Sequence, residues 1–439
     1  MVGKLHLAAA ALAATTALMP HATLADVTLV RAGRVIVDAS KPALGASTIA
    51  VRDGRIVTVA AGNPDARTLV PDLKPDEPVK EIDLSSKTVL PGLIDSHVHL
   101  SSDPGTPWWQ EAVNSDEYAT AVGTKNALVT VRAGFTTVRD VGSAKNVGFA
   151  LRNAVRDGVV VGPRILAAGP GISIIGGHGD VSGFRREVID VLSGGNTCTG
   201  AVECAARVRE ASRAGADVIK ITATGGVLSQ QARGLGQHFT DDELKSIMDT
   251  AHSLGLKVAA HAHGAKGIET AVRAGVDSVE HGTFVDDAGL KVMKEKGTYM
   301  VPTLMAFTGI SERLGKGVYT PQVEDKIRQT LAVMGKQIAA AKRNGVPIAF
   351  GTDSGVFEHG RNAEEFGLMV KYGGLTPREA LSTATTGAAG LLGLEADVGT
   401  LEPGKSADMI AVDGDPISDI TQLEKVRFVM ASGRVVPMD

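Results

Sequence analysis

Eight short apolar runs recur through the middle of the chain, each separated from the next by a longer stretch of helical periodicity. They cover residues 89–100, 136–141, 164–169, 218–224, 257–263, 278–283, 298–304 and 347–352. This repeat constrains the fold more than any other feature. A glycine stands before most of the runs, at Gly134, Gly158, Gly215, Gly255, Gly275, Gly297 and Gly345. A glycine just past the end of a helix, followed by a strand, is the usual form of an αβ connection. The intervening stretches 203–214, 241–254, 267–274 and 323–343 read as helices, and Thr240 with Glu243 forms a capping box for one of them. Strands alternating with helices give parallel βαβ units, and eight of them predict an α/β fold of the (β/α)8 TIM-barrel kind rather than an open sheet.

The two ends follow a different grammar. Residues 27–31, 34–38, 48–51 and 55–60 are short alternating runs, with Asp53-Gly54 as a turn. Residues 407–412, 426–431 and 434–436 repeat the pattern near the C-terminus. Both ends together predict one small composite β-sandwich domain. The expected division is a leader at 1–25, an N-terminal β part at 26–88, a barrel at 89–391 and a C-terminal β part at 392–439. The leader has a basic Lys4, an Ala-rich apolar stretch and small residues before Asp26, which is the pattern of a cleaved signal peptide. It predicts an exported protein, periplasmic or secreted. No later run reaches the roughly 18 apolar residues of a membrane span, so no membrane partner is expected.

Export bears on the two cysteines, Cys198 and Cys204. In an oxidising compartment this pair can close a short disulfide loop, or remain as two buried thiols. Aromatic residues are only 4%, so the core must be mainly aliphatic. The formal charge of −4 weighs against a nucleic-acid partner, which usually needs a basic face.

The chemistry collects where the runs end. Asp95-Ser96-His97-Val98-His99 closes the first run, and residues two apart on a strand face the same way, so His97 and His99 can reach one ion. Ala260-His261-Ala262-His263-Gly264 repeats the arrangement, Glu280-His281 follows in the sixth run, and Thr352-Asp353 in the eighth. Lys220 interrupts an apolar run, where an ammonium is costly unless paired, neutral or modified. Imidazoles with a carboxylate suit divalent transition metals, and no thiolate cluster argues for a structural zinc site. His178 lies in a glycine-rich loop at 169–179, which lacks the Gly-Lys-Ser/Thr ending of a phosphate loop. Trp108-Trp109 follows the first run, as pocket lining, an oligomer contact or simple packing. The loop 306–320 follows the seventh run, on the face where barrels place their sites.

Taken together, Pro91 to His99, Lys220, His261, His281 and Thr352-Asp353 resemble the amidohydrolase superfamily of metal-dependent hydrolases, and the tail from Gly399 to Asp408 resembles its composite β domain. The segments Gly176 to Asp180, Lys220 to Gly226 and Ala260 to Gly264 are similar to the exported Xaa-Pro dipeptidase and imidazolonepropionase-like branch, which includes ochratoxin-degrading amidohydrolases. The resemblance implies two divalent ions, Zn²⁺ first among them. His97 and His99 would bind one, His261 and His281 the other, with Lys220 carboxylated by CO₂ as the bridge and Asp353 on the first ion. It implies hydrolysis of an amide in a dipeptide or N-acyl amino acid by a bridging hydroxide, with Asp353 as proton shuttle. Cyclic amides are the alternative substrate class. His178, His263, Val227 and Leu228 would face the substrate. Here His178 polarises the carbonyl, binds a carboxylate or has no role. A homo-oligomer is implied as well.

Overall fold

The computed structural model describes residues 27–106, 108–229 and 234–439. The expected leader lies outside the described residues. Strands β1 (Val27–Val35), β2 (Ser47–Arg52), β3 (Arg55–Ala61) and β4 (Val79–Pro91) come from the N-terminal flank. The middle of the chain supplies β5 (Leu93–Val98), β6 (Phe135–Asp140), β7 (Arg164–Ala167), β8 (Ser173–Ile174), β9 (Thr197–Cys198), β10 (Val218–Thr222), β11 (Lys257–Ala262), β12 (Ser278–His281) and β13 (Tyr299–Val301). The C-terminal flank adds β14 (Met409–Val412), β15 (Phe428–Ala431) and β16 (Arg434–Val435).

Both flanks enter one seven-stranded sheet of order β16-β15-β14-β4-β1-β2-β3. The hairpin β2–β3 turns at Asp53 (φ 50°) and Gly54 (φ 75°), the pair of left-handed residues that a tight two-residue hairpin requires. β4 is central: it pairs parallel with β1 and antiparallel with β14. The expected strand at 34–38 is instead the end of β1, which carries a bulge between Ala32 and Arg34.

The middle of the chain forms two larger parallel sheets, β5-β6-β7 and β10-β11-β12-β13, giving a TIM-barrel-like α/β arrangement, and a small parallel pair, β8-β9. Hydrogen bonds join their edges. Asp217 N donates to Ala167 O (2.9 Å) and Ile172 N to Lys220 O (2.8 Å). On the other side, residues 347–354 run between β13 and β5: Met300 N donates to Pro347 O (2.8 Å), Ser96 N to Phe350 O (2.9 Å) and Asp353 N to His97 O (2.7 Å). The eighth run is thus in place but makes only isolated bridges, Met300 with Ile348 and Val98 with Ser354. Pro347 has no N–H to give a ladder.

Two other runs are subdivided. The run 89–100 changes sheets at Gly92, where a Cβ would fall 2.1 Å from Thr136 Oγ1; β4 ends before it and β5 starts after it. The helical stretch 323–343 is two helices, Pro321–Leu331 and Lys336–Asn344, parted at Gly335, whose φ is 80° and whose Cβ would meet the Tyr372 backbone at 2.5 Å. The capping box of Thr240 and Glu243 is present with both reciprocal bonds. The core is aliphatic, as composition requires, with one aromatic seam: Phe135 stacks on Phe350 (5.5 Å) and Phe350 on Phe366 (4.3 Å). Such pairs add about 0.5–1.5 kcal/mol each beyond their buried area. Cys198 and Cys204 form a disulfide with Cα atoms 5.0 Å apart, which ties β9 to the helix Gly200–Ala214. Among the described residues no helix is long and apolar enough to cross a membrane.

Candidate active site

A cavity of about 910 Å³ opens where the parallel strands end at their C-terminal edges. His97, His99, Lys220, His261, His281 and Asp353 all line it, as do His178, His263, Val227 and Leu228. These ten candidates therefore reach one space, although they are scattered from residue 97 to residue 353. The strand ends explain this. His97 sits on β5, Lys220 on β10, His261 on β11 and His281 at the end of β12, and neighbouring parallel strands bring their ends together.

Local backbone serves the same purpose. His281, Thr303 and Asp353 have φ of 69°, 51° and 65°, left-handed values that non-glycine residues avoid. Such strain persists only where the surroundings hold it, and it clusters at functional sites. Gly142 and Gly226 allow close approach: a Cβ on Gly142 would lie 2.7 Å from His99 Cε1, and one on Gly226 2.2 Å from His178 Cε1.

Two groups of donor atoms converge. The ring nitrogens of His261, His263 and His281 lie within 4.8 Å of one another, as do those of His97 and His281 with a carboxylate oxygen of Asp353. Asp353 Oδ1 is 3.3 Å from His97 Nε2 and 3.2 Å from His99 Nε2. His261 Nδ1 and His281 Nε2 are 3.0 Å apart, while His261 Nε2 is buried and has no hydrogen-bond partner. An imidazole nitrogen left this way is costly unless a cation accepts its lone pair. These residues fit a metal. His263 shares the second donor group, so the geometry by itself does not separate His261 from His263 as ligand.

Protonation follows from burial. The rings of His261 and His281 are held well below the ordinary histidine range, first by burial and then by the neighbouring imidazoles. Burial also lowers His178 to about 4 and His263 to about 3. Neutral imidazoles are the ligating form. Burial brings Lys220 down to about 8, and among the described residues no carboxylate pairs with it. Burial acts to raise Asp353, but the charges and hydrogen bonds of His97 and His99 hold its carboxyl well below the usual range.

Partners behind the rings fix their orientation. His97 Nδ1 lies 2.7 Å from Glu280 Oε2, His99 Nδ1 2.9 Å from Gly142 O, His263 Nδ1 2.8 Å from Thr283 Oγ1 and His281 Nδ1 2.6 Å from Thr303 Oγ1. The second nitrogens of His97 and His99 then meet Asp353, and that of His281 meets His261. This is the arrangement that aims a histidine at a metal. Glu280 is fully buried and also accepts from Arg139 Nη2 (2.9 Å), whose Nε donates to Ser96 O (2.6 Å). Asp95 accepts from Thr352 Oγ1 (2.6 Å) and Asn362 Nδ2 (2.8 Å), which fastens β5 to the residue before Asp353. Sequence reasoning missed these orienting groups. Arg139 carried a usable signal, since a cation inside an apolar strand raises the question already asked of Lys220.

The expected covering loop at 306–320 begins as a helix, Leu304–Ser311, whose Ala306, Phe307 and Ile310 line the cavity. Trp109 is half exposed, and the cavity wall does not include it. The helix start is capped by Glu365, which accepts from Leu304 N (2.9 Å) and Met305 N (2.6 Å). Burial nevertheless pushes its carboxyl up to about 8. A carboxyl raised in the fold keeps its proton after the unfolded chain has lost it, so stability should fall as pH rises from about 4.5 to about 8. Glu365→Gln should flatten that slope in urea unfolding curves across this window; an unchanged slope would assign it to another group.

Comparison with known proteins agrees with this geometry. The model of the amidohydrolase family matches residues 88–436. The ochratoxinase of Aspergillus niger is 31% identical over 370 residues, covering 78% of this chain and 73% of that protein. The imidazolonepropionase of Symbiobacterium thermophilum is 27% identical over 416 residues, covering 88% and 90%. The crystal structure of a Xaa-Pro dipeptidase with methionine bound in its active site superposes with a TM-score of 0.84 at 37% identity, covering 93% of this chain and 99% of that one. With a family match across most of its length and a cavity of converging histidines at its strand ends, the chain belongs to the amidohydrolase family and is a hydrolase acting on amide bonds.

Proposed function

We propose that the protein is a two-metal hydrolase that cuts the amide bond of dipeptides or N-acyl amino acids bearing a free carboxylate, with Xaa-Pro or carboxypeptidase-like substrates and ochratoxin A in this class. The observation that carries the reading is the convergence of His97, His99, Lys220, His261, His281 and Asp353 on one cavity, with the buried rings of His261 and His281 held neutral. His97 and His99 would hold one ion with Asp353, His261 and His281 the other. Lys220 would bridge them as a carbamate, formed when its free amine adds CO₂ and releases a proton. Its lowered pKa supplies that amine near neutrality, and the carbamate replaces a buried cation with an anion. We take Zn²⁺ as the metal, on the imidazole-rich donor set.

When bound, such ions bring the pKa of water toward about 7 and polarise a carbonyl. The chain's own residues do the rest. Asp353 is placed to take a proton from the attacking water and hand it to the leaving nitrogen, which departs poorly as an amide anion. His178 and His263 face the substrate, one to polarise the carbonyl or meet its carboxylate. Val227 and Leu228 give an apolar wall. We place this site in a closed eight-stranded barrel at 89–391, supported by the edge-joining hydrogen bonds. The parts 26–88 and 392–439 make the composite β domain, supported by the shared sheet. An exported, homo-oligomeric enzyme is part of the same proposal.

A second reading, opening of a cyclic amide, is favoured by the similarity to an imidazolonepropionase over 88% of this chain. Turnover of a pooled set of dipeptides, N-acyl amino acids, ochratoxin A and cyclic amides by the Zn²⁺- and bicarbonate-treated protein, read by mass spectrometry, separates the two. Loss of linear carboxylates that stops on chelation is the expected result. Loss of cyclic amides alone would replace this reading with the second.

A further inference from the structure

Among the described residues three cations are buried: Arg139, Lys220 and Lys326. Arg139 is paired with Glu280, and Lys220 belongs to the site. Lys326 is neither. It projects from the helix Pro321–Leu331, is 8% exposed, and makes no ion pair with any described residue. The acids nearest to it on its own helix are engaged elsewhere, Glu324 with Arg328 (2.7 Å) and Asp325 with Gln329 (2.7 Å). A buried ammonium without an anion is expensive, so its position calls for a reason.

Its contacts lead to the substrate wall. Lys326 Nζ donates to Gly226 O (2.8 Å) and Ser229 O (2.6 Å), the two ends of a turn closed by Ser229 N to Gly226 O (3.2 Å). Between them stand Val227 and Leu228, which line the cavity. Ser229 Oγ is 2.6 Å from His178 Nδ1, and the His178 ring lies 4.1 Å from that of His261. Two acids of the rim are already paired with lysines, and a third is held by the backbone. Asp103 pairs with Lys125 (2.6 Å), Asp116 with Lys145 (3.2 Å), and Asp180 accepts from Gly176 N (2.7 Å).

We propose that Lys326 is a specificity-determining positioning residue, whose buried charge behind the 226–229 turn makes the cavity select substrates with a carboxylate beside the scissile amide. The inference rests on the linear-amide reading above. A positive field set in a low-dielectric wall, behind the apolar surface of Val227 and Leu228, favours an anionic group there over a neutral group of the same shape. A clamp that merely held the turn in place would treat the two alike.

The test uses a matched substrate pair, an N-acyl amino acid with a free carboxylate and its C-terminal carboxamide, on the full metal-loaded enzyme. Lys326→Gln keeps hydrogen-bond donors for Gly226 and Ser229 but removes the charge; Lys326→Met removes both; Lys326→Arg keeps the charge. The expected result is an acid-over-amide preference in kcat/KM that falls about tenfold in the Gln and Met variants, mostly through KM. It should be retained in Lys326→Arg, with melting temperatures checked alongside. Equal losses on both substrates, or an unchanged preference in Lys326→Gln, would overturn the assignment and leave a structural clamp. Wild-type enzyme that cleaves neither substrate would instead remove the linear-amide reading on which it rests.

Discussion

Asp353→Asn should lower kcat/KM by about 10²–10⁴-fold, the range that a positioned acid–base group contributes, while the protein keeps its fold and most of its metal. Asn has the shape of Asp and can still meet the two imidazoles that Asp353 touches at 3.3 and 3.2 Å. What it cannot do is accept a proton and return it. The proposed reading gives this position two functions, metal ligand and proton carrier, and the measurement has to separate them. Elemental analysis of the purified variant gives metal content, and activity is then assayed with and without excess Zn²⁺. A large loss of turnover at near-normal metal content assigns the proton transfer to Asp353. Activity that returns with added metal would make it a ligand only, and full activity at the outset would remove it from the mechanism. The strained φ of 65° at this residue argues that its placement is held by its surroundings. Its hydrogen-bonded frame, Asp95 with Thr352 and Asn362, is untouched by the substitution.

The parts of the fold legible in sequence were those with a repeating local cause. Glycines at helix ends marked Gly215, Gly275, Gly297 and Gly345, each of which is a left-handed helix cap. The His-x-His pairs were legible because strand alternation is strict. The failures came where tertiary contact overrides local pattern. Gly92 ends one strand and permits a change of sheet because Thr136, more than forty residues away, fills the space a side chain would need. Gly335 splits a continuous helical pattern for the same kind of reason, against Tyr372. At the site, the residues facing the cavity were found and those behind them were not. A candidate ligand histidine announces itself by type and spacing, whereas its support can come from any element, as Thr303 and Gly142 do here. Lys326 is the extreme case: its helix follows the seventh run by some twenty residues, and only the fold brings it behind the 226–229 turn.

Glu280 is the support whose loss should be felt most. Its carboxylate lies at zero exposure and serves two partners, His97 Nδ1 at 2.7 Å and Arg139 Nη2 at 2.9 Å. Burial alone would raise its pKa, yet Arg139 and His97 bring it to about 2, so it is an anion throughout the physiological range. Glu280→Gln leaves Arg139 buried without a counter-charge, which should destabilise the fold by about 3–5 kcal/mol. It also replaces the anion behind His97 with a neutral amide. Weakening the group behind a ligand histidine typically costs about 10–100-fold in metal affinity. The two losses have different origins, and a second substitution separates them. Arg139→Met together with Glu280→Gln removes the stranded charge and should recover much of the stability in urea unfolding, but the weakened metal affinity should persist in competition with a chelator. Recovery of both together would mean that Glu280 acts only as the partner of Arg139. A Glu280→Gln protein as stable as wild type would show that Arg139 finds compensation elsewhere, for which Ser96 O at 2.6 Å and Ser278 Oγ at 3.1 Å are the acceptors already in place. On this expectation a single carboxylate, one oxygen facing each partner, couples the stability of the barrel-like core to the competence of the proposed metal site.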